Sequence, residues 1–234
     1  MKHLLVLSLC FLFISGYSQE PTEKKDANFY KNEGNTSYKA KDFAKAFENY
    51  TQALELLSEE NIIDTSLLYN AGYSAYKAKN YGEAVDYFSK CIEYKYKEIN
   101  SFQNKTVCQL KTKDIDGMEE TVLQGLEIYP DDKKLNKYAS MCYLKKGLVF
   151  YNDGNKIKKA ANESGLNKTD TVQFKAEYEK ANNKYEEALP IMEKAYNYNQ
   201  QNKNVLKVLV NIYTNLDMQD KLAKAKSELD ALEK

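Results

Sequence analysis

A stretch that occurs twice in succession constrains this chain more than any other feature. Ala27 to Leu56, ANFYKNEGNTSYKAKDFAKAFENYTQALEL, is echoed by SLLYNAGYSAYKAKNYGEAVDYFSKCIEY from Ser66, after an insert around Glu59 to Asp64. Read as two short helices, the first copy puts Tyr30, Gly34 and Tyr38 on one face and Ala46, Tyr50 and Ala53 on the other helix's facing side. In the second copy Gly72 and Tyr76 answer Gly34 and Tyr38, while Ala84, Phe88 and Cys91 answer Ala46, Tyr50 and Ala53. Small residues fall where two helices must approach, and aromatics fill the space beside them. A short helical hairpin cannot bury its apolar face alone, so such units are expected to stack.

These positions resemble the tetratricopeptide repeat, a helix-turn-helix module of about 34 residues. The resemblance implies an all-α fold, a right-handed superhelical array whose first helices line a concave surface. The expected organisation is 27–60 for the first repeat, 65–98 for the second and 99–132 for a degenerate third. In the third unit Thr106 replaces the glycine, Met118, Val122 and Gly125 line the second helix, and Pro130 follows as a stop signal. A fourth unit, 133–199, is too long for one repeat and is read as an extended helical hairpin over about 150–184. There Phe174, Tyr178, Ala181, Tyr185, Ala188, Met192 and Ala195 continue one helical stripe. Asp170 is its expected N-cap, with Gln173 completing a capping box. Val149, Phe150, Ile157, Ala160 and Ala161 carry the opposing helix out to a tip at Glu163 to Thr169. Asp153-Gly154 and Pro190 are expected to weaken the two long helices. Residues 202–234 read as a last repeat or capping pair, with a charged SELDALEK end. Asp42, Asn80, Asp114 and Asp217 are expected to cap second helices. The long fourth unit with its ALP-x-x-EKA helix, Ala188 to Ala195, resembles tetratricopeptide proteins exported by Bacteroidetes-type bacteria.

The N-terminus reads as a signal peptide over 1–18, followed by a polar lead over 19–25. Lys2 and His3 precede an apolar run from Leu4 to Ile14, and Gly16 and Ser18 suit a cut after Ser18. The run is too short for a resident transmembrane helix. Leu7-Ser8-Leu9-Cys10 looks faintly like a lipobox, but a cut there would leave little apolar segment before it. The mature chain is expected to be exported, to the periplasm or cell envelope, without membrane insertion.

Composition narrows the chemistry. There is no arginine, so all 34 cationic side chains are lysine, balanced by 34 carboxylates. That balance argues against generic nucleic-acid binding. The one histidine, His3, lies in the leader, which removes the commonest general base and a common metal ligand from the mature chain. No phosphate loop, nucleophile elbow or metal spacing occurs. Acidic neighbours such as Glu119-Glu120 and Asp131-Asp132 suit helix ends and solubility. Neither an enzyme nor a cofactor is expected. Of four cysteines, Cys10 lies in the leader, leaving Cys91, Cys108 and Cys142 as an odd set better read as buried thiols than as a bridge or metal site. The Asn-x-Ser/Thr sites suit an asparagine-rich composition.

The resemblance places candidate ligand-facing residues on the first helix of each repeat: Lys31, Asn35 and Lys39, then Tyr69, Asn70, Tyr73 and Lys77, then Gln103, Asn104 and Lys111. Lys137 and Lys145 follow in the fourth unit. Lys39, Lys77, Lys111 and Lys145 are equivalent, and read either as ordinary solvated lysines or as a positive ladder for an acidic peptide. Lys31, Asn35 and Asn70 match three positions of the family's carboxylate clamp, but Asn100 and Asn104 stand where it needs basic residues. Most tyrosines, Tyr38, Tyr50 and Tyr76 among them, read as repeat packing, leaving Tyr69 and Tyr73 for a groove. The expected partner is a protein or peptide, acidic on the second reading of the lysines. Glycan binding through groove tyrosines is the alternative.

Overall fold

A computed structural model describes residues 25–233. The signal peptide, its cut after Ser18 and most of the polar lead lie outside the described residues. The described chain is all-α: α1 (Ala27–Lys39), α2 (Phe43–Glu59), α3 (Thr65–Lys77), α4 (Tyr81–Glu93), α5 (Glu98–Thr112), α6 (Ile115–Ile128), α7 (Lys133–Glu163), α8 (Leu166–Thr169), α9 (Thr171–Tyr198), α10 (Lys203–Asn215) and α11 (Gln219–Glu233). Each hairpin packs on the next, so the molecule is a superhelical stack. We call α1, α3, α5, α7 and α10 the A helices, and their partners α2, α4, α6, α9 and α11 the B helices.

Aspartates start most of these helices by accepting a first-turn N–H, which satisfies one of the donors a helix end leaves free. Asp26 accepts from Phe29 N at 2.7 Å, Asp42 from Lys45 N at 3.1 Å, Asp114 from Gly117 N at 3.0 Å and Asp132 from Leu135 N at 2.8 Å. Asn80 occupies the cap position of α4 but makes no side-chain cap bond. Asp217 does not cap α11 either. It sits at φ 54° in the left-handed region, where the other A–B turns hold Lys41, Lys79 and Lys113. The reason is register. Met218 N donates to Tyr213 O just as Asp42 N does to Ser37 O and Asn80 N to Ala75 O, so Met218, one residue on, holds the cap position.

The core is a row of small clusters. Ala46, Ala53 and Tyr50 fill the first hairpin, and Ala84, Phe88 and Cys91 the second, all at most 2% exposed. Gly34 is required by close approach: a Cβ there would lie 2.5 Å from the Tyr50 ring. Thr106 is buried and donates its hydroxyl to Phe102 O at 2.8 Å, a polar group satisfied within its own helix. Cys91, Cys108 and Cys142 are buried free thiols, and burial pushes their pKa values to about 11, about 12 and about 11. They stay protonated at neutral pH and act as small apolar side chains.

The fourth hairpin is the extended one. Ala181, Ala188 and Ala195 form a fully buried stripe on α9, with Tyr185 and Met192 between them. Asp153-Gly154 does not interrupt α7. Gly154 faces α9, where an added Cβ would meet the Tyr185 ring at 2.7 Å and Ala181 O at 3.1 Å. The residue expected to break the helix is the one that lets the two helices touch. α9 also runs unbroken through Pro190, whose exposed ring points away from the packed stripe. Asp170 caps α9 through Gln173 N at 2.9 Å, but the reciprocal half of the capping box is missing, because Asp170 N already donates to Leu166 O. α7 is clamped to α6 by Lys146, which pairs with Glu119 and with Asp116 at 2.7 Å. Those two carboxylates raise the Lys146 pKa.

Candidate functional site

The candidate residues divide by what holds them. Lys31 Nζ lies 2.5 Å from Asp64, the residue that caps α3 through Leu67 N at 2.9 Å. Gln103 Nε2 donates to both oxygens of Asp132, the cap of α7, at 3.1 Å each. Each side chain therefore reaches from one A helix to the start of the next. Burial alone would raise the Asp64 pKa, but the Lys31 ammonium, the Ser66 hydroxyl and Leu67 N–H bring it down to about 2. Asn35 accepts from the buried Tyr50 hydroxyl at 2.9 Å. Lys31, Asn35 and Gln103 thus serve the stack itself.

At the second junction the same position holds Tyr69, and the residue before α5 is Lys97, at φ 43° and without a cap bond. Here the brace changes chemistry: the Lys97 ammonium lies over the Tyr69 ring, 4.3 Å from its centroid, well within cation–π range. Tyr69 is further fixed by Asn104, whose Nδ2 donates to its hydroxyl at 3.2 Å, and by stacking on Tyr73 at 6.2 Å with the rings 10° from parallel. Tyr73 approaches Tyr38 of α1 at 6.4 Å. Lys77 stands over Tyr73 at 5.2 Å and Tyr76 at 5.7 Å. Tyr38, Tyr69, Asn70, Tyr73 and Lys97 line one recess of about 370 Å³.

The structure therefore brings together Tyr69, Asn70, Tyr73, Lys77 and Asn104, and adds Tyr38 and Lys97, which the sequence reading did not select. Tyr38, whose repeat position suggests packing, is half-buried and forms one wall of the recess. Tyr76 likewise meets Lys77 and Tyr73 rather than the interior alone. Lys97 lies in a turn, outside any helical pattern, and its signal was only that a lysine replaces the aspartate found before α3 and α7. Lys39, Lys111 and Lys145 are exposed, as are Lys77 and Lys137, and among the described residues none of these five pairs with a carboxylate.

Charge is segregated between the two sets of helices. Every A helix carries more lysines than carboxylates, and every B helix the reverse. Up to Asn152 the A helices hold only Glu33 and Glu98 as acids, and Glu98 is engaged as acceptor for the Tyr129 hydroxyl at 2.8 Å. The formal net charge of zero hides this division. A wider hollow of about 960 Å³ lies between the starts of α7 and α10 and includes Lys137, Met141 and Lys203. A third, of about 510 Å³, lies between α2 and α4 beside Ile62 and Tyr94 and is lined by Glu55, Asp64 and Glu93 against a single lysine, Lys90. Its charged groups are mostly acidic, whereas the A-helix recess holds a lysine and no carboxylate.

No protein-family model matches the chain, and no curated protein matches it. Among solved structures it is similar to YrrB, described as a TPR protein with an unusual peptide-binding site, at 18% identity and a TM-score of 0.50, over 90% of this chain and 88% of that one. A double mutant of MamA RS-1 is similar at 14% identity and a TM-score of 0.50, over 88% and 94% of the two chains. A TPR repeats protein from Bacteroides fragilis is 23% identical over 81% and 98%, with a TM-score of 0.48. At these identities the likeness concerns architecture alone.

Proposed function

The chain has a tetratricopeptide-repeat fold, and from that premise we propose that it is a non-enzymatic interaction scaffold whose A-helix face receives an extended acidic segment of a protein partner. The observation that carries this reading is the segregation of charge. In a superhelix of this kind the A helices line the concave side, and here that side has lysines at Lys39, Lys77, Lys111, Lys137 and Lys145 without neutralising partners. A surface of one sign inside a concave wall concentrates ligands of the opposite sign. The tyrosines between the lysines supply ring surface, and Asn70 supplies an amide. The apolar run from Leu4 to Ile14, with Gly16 and Ser18 after it, supports a reading of residues 1–18 as a leader, and on that reading the scaffold works in the periplasm or cell envelope and meets its partners outside the cytosol.

The test is anisotropy of a fluorescein-labelled decaglutamate titrated with the chain from Gln19 onward. The triple variant Lys39→Glu, Lys77→Glu, Lys111→Glu is expected to weaken binding by at least about tenfold, since several charge contacts are reversed together. Reversal of the B-helix lysines Lys45 and Lys90 should leave it unchanged. Equal binding by all three proteins would remove the acidic-segment reading. Glycan binding keeps one supporting observation, the parallel Tyr69–Tyr73 pair. Retention on a polysaccharide column without affinity for acidic peptide would favour it.

A further inference from the structure

We infer that the recess between the first three A helices selects a proline next to an acidic residue in the bound segment. This rests on the acidic-segment reading above and concerns which acidic segments are taken. The recess has three ring walls, Tyr38, Tyr69 and Tyr73, and no carboxylate. Its polar groups can all donate: the Lys97 ammonium, which only donates, and the Asn70 amide and the hydroxyls of Tyr38 and Tyr73, which also accept. Neither of those two hydroxyls has a hydrogen-bond partner among the described residues, whereas the Tyr69 hydroxyl is occupied by Asn104. A wall of rings with available donors and no carboxylate suits a segment that offers carbonyls and carboxylates to accept. Proline has no N–H, leaves the neighbouring carbonyls free to accept, and presents a flat ring to aromatic faces. It also holds the segment extended before binding, which lowers the ordering cost.

Position agrees with chemistry. The Lys97 ammonium lies over the Tyr69 ring, 4.3 Å from its centroid, and the Lys77 ammonium over the Tyr73 ring at 5.2 Å. Each ring of the stacked pair therefore has an ammonium beside it, and a pyrrolidine ring lodged in the recess brings its acidic neighbours close to these charges. The Lys97 ammonium is held only by ring faces among the described residues, with no carboxylate partner, so it can turn to a ligand carboxylate without breaking an ion pair. Lys31 and Gln103, at the equivalent junctions, are tied to Asp64 and Asp132 and do not have that freedom.

The experiment compares two fluorescein-labelled decapeptides of equal charge, one alternating glutamate with proline and one alternating glutamate with alanine. The wild-type chain is expected to bind the proline peptide about tenfold more tightly, the scale of one ring stacking well on aromatic faces. Tyr73→Leu and Lys97→Gln should each cut that preference to about twofold or less, with circular dichroism confirming that each variant is folded. The triple reversal of Lys39, Lys77 and Lys111 should weaken both peptides. Equal wild-type affinity for the two peptides, or a preference that survives in both recess variants, overturns the assignment while leaving the acidic-segment reading standing. Failure of both peptides to bind overturns the two together.

Discussion

Lys31 and Asp64 form a brace whose strength depends on pH. Asp64 accepts from the Lys31 ammonium, the Ser66 hydroxyl and Leu67 N–H, and all three favour its ionised form. Its folded pKa of about 2 lies below the usual carboxylate value, so the stabilisation is present above the unfolded pKa and is lost as pH falls through the folded one. The window runs from about pH 4 down to about pH 2. Because Lys31 is partly exposed, the pair contributes about 1 kcal/mol after screening by solvent. Urea midpoints for wild type and Lys31→Met should therefore differ at pH 6, and the gap should narrow steadily from pH 4 to pH 2 as Asp64 takes up its proton. A gap that stays constant from pH 6 to pH 2 would show that Lys31 acts through packing of its aliphatic stem instead.

At the scale of elements, the α7–α9 hairpin shows why some features were legible in the chain and others were not. Ala181, Tyr185, Ala188 and Met192 announce a helix by their spacing, because the face they bury lies along one helix and its sequence neighbour. Gly154 carried the opposite sign. Its low helix propensity is a local property, whereas its need to be small comes from Tyr185, far along the chain. The same limit hid Lys97 and the braces made by Lys31 and Gln103, whose partners belong to the next repeat and are fixed by the pitch of the stack. Spacing within a repeat could rank those side chains as ligand-facing, but it could not show that Asp64 and Asp132 reach them first. Two glycine substitutions separate local from tertiary effects. Gly82→Ala in α4, where an added Cβ meets nothing within 4 Å, should raise stability by about 0.5 to 1 kcal/mol. Gly154→Val should lower it by about 2 kcal/mol or more by driving α7 from α9. Thermal unfolding of both variants checks the pair, and equal shifts would mean that the hairpin is not closely packed at Gly154.

The whole molecule is neutral in sum and divided in arrangement. A neutral protein is expected to show little salt dependence in its contacts, but a face of unpaired lysines should lose affinity for acidic peptide as salt rises. Between 50 and 300 mM sodium chloride the affinity for decaglutamate should fall by about tenfold or more, as the screening length shortens to less than the spacing between charges on the face. Titrations across that range measure it. A flat profile would mean that rings and amides, not ammonium groups, hold the ligand. The lysine face was half legible in the chain: Lys39, Lys77, Lys111 and Lys145 recur at one repeat position. The acids that leave it uncompensated could be assigned to the other face only once the B helices were seen to carry them.

Two layers of opposite charge, back to back, give a body with no monopole and a lasting transverse dipole. Seen from beyond a Debye length of about 8 Å, an acidic partner meets something electrically silent. Inside that distance the field turns the body before it pulls it, bringing the lysine side round to the partner. Association by such a route lacks long-range steering, so its rate constant should stay near the ordinary 10⁵ to 10⁶ M⁻¹s⁻¹, roughly the range of neutral pairs. Selectivity is then decided after contact, in how long a correctly turned segment stays.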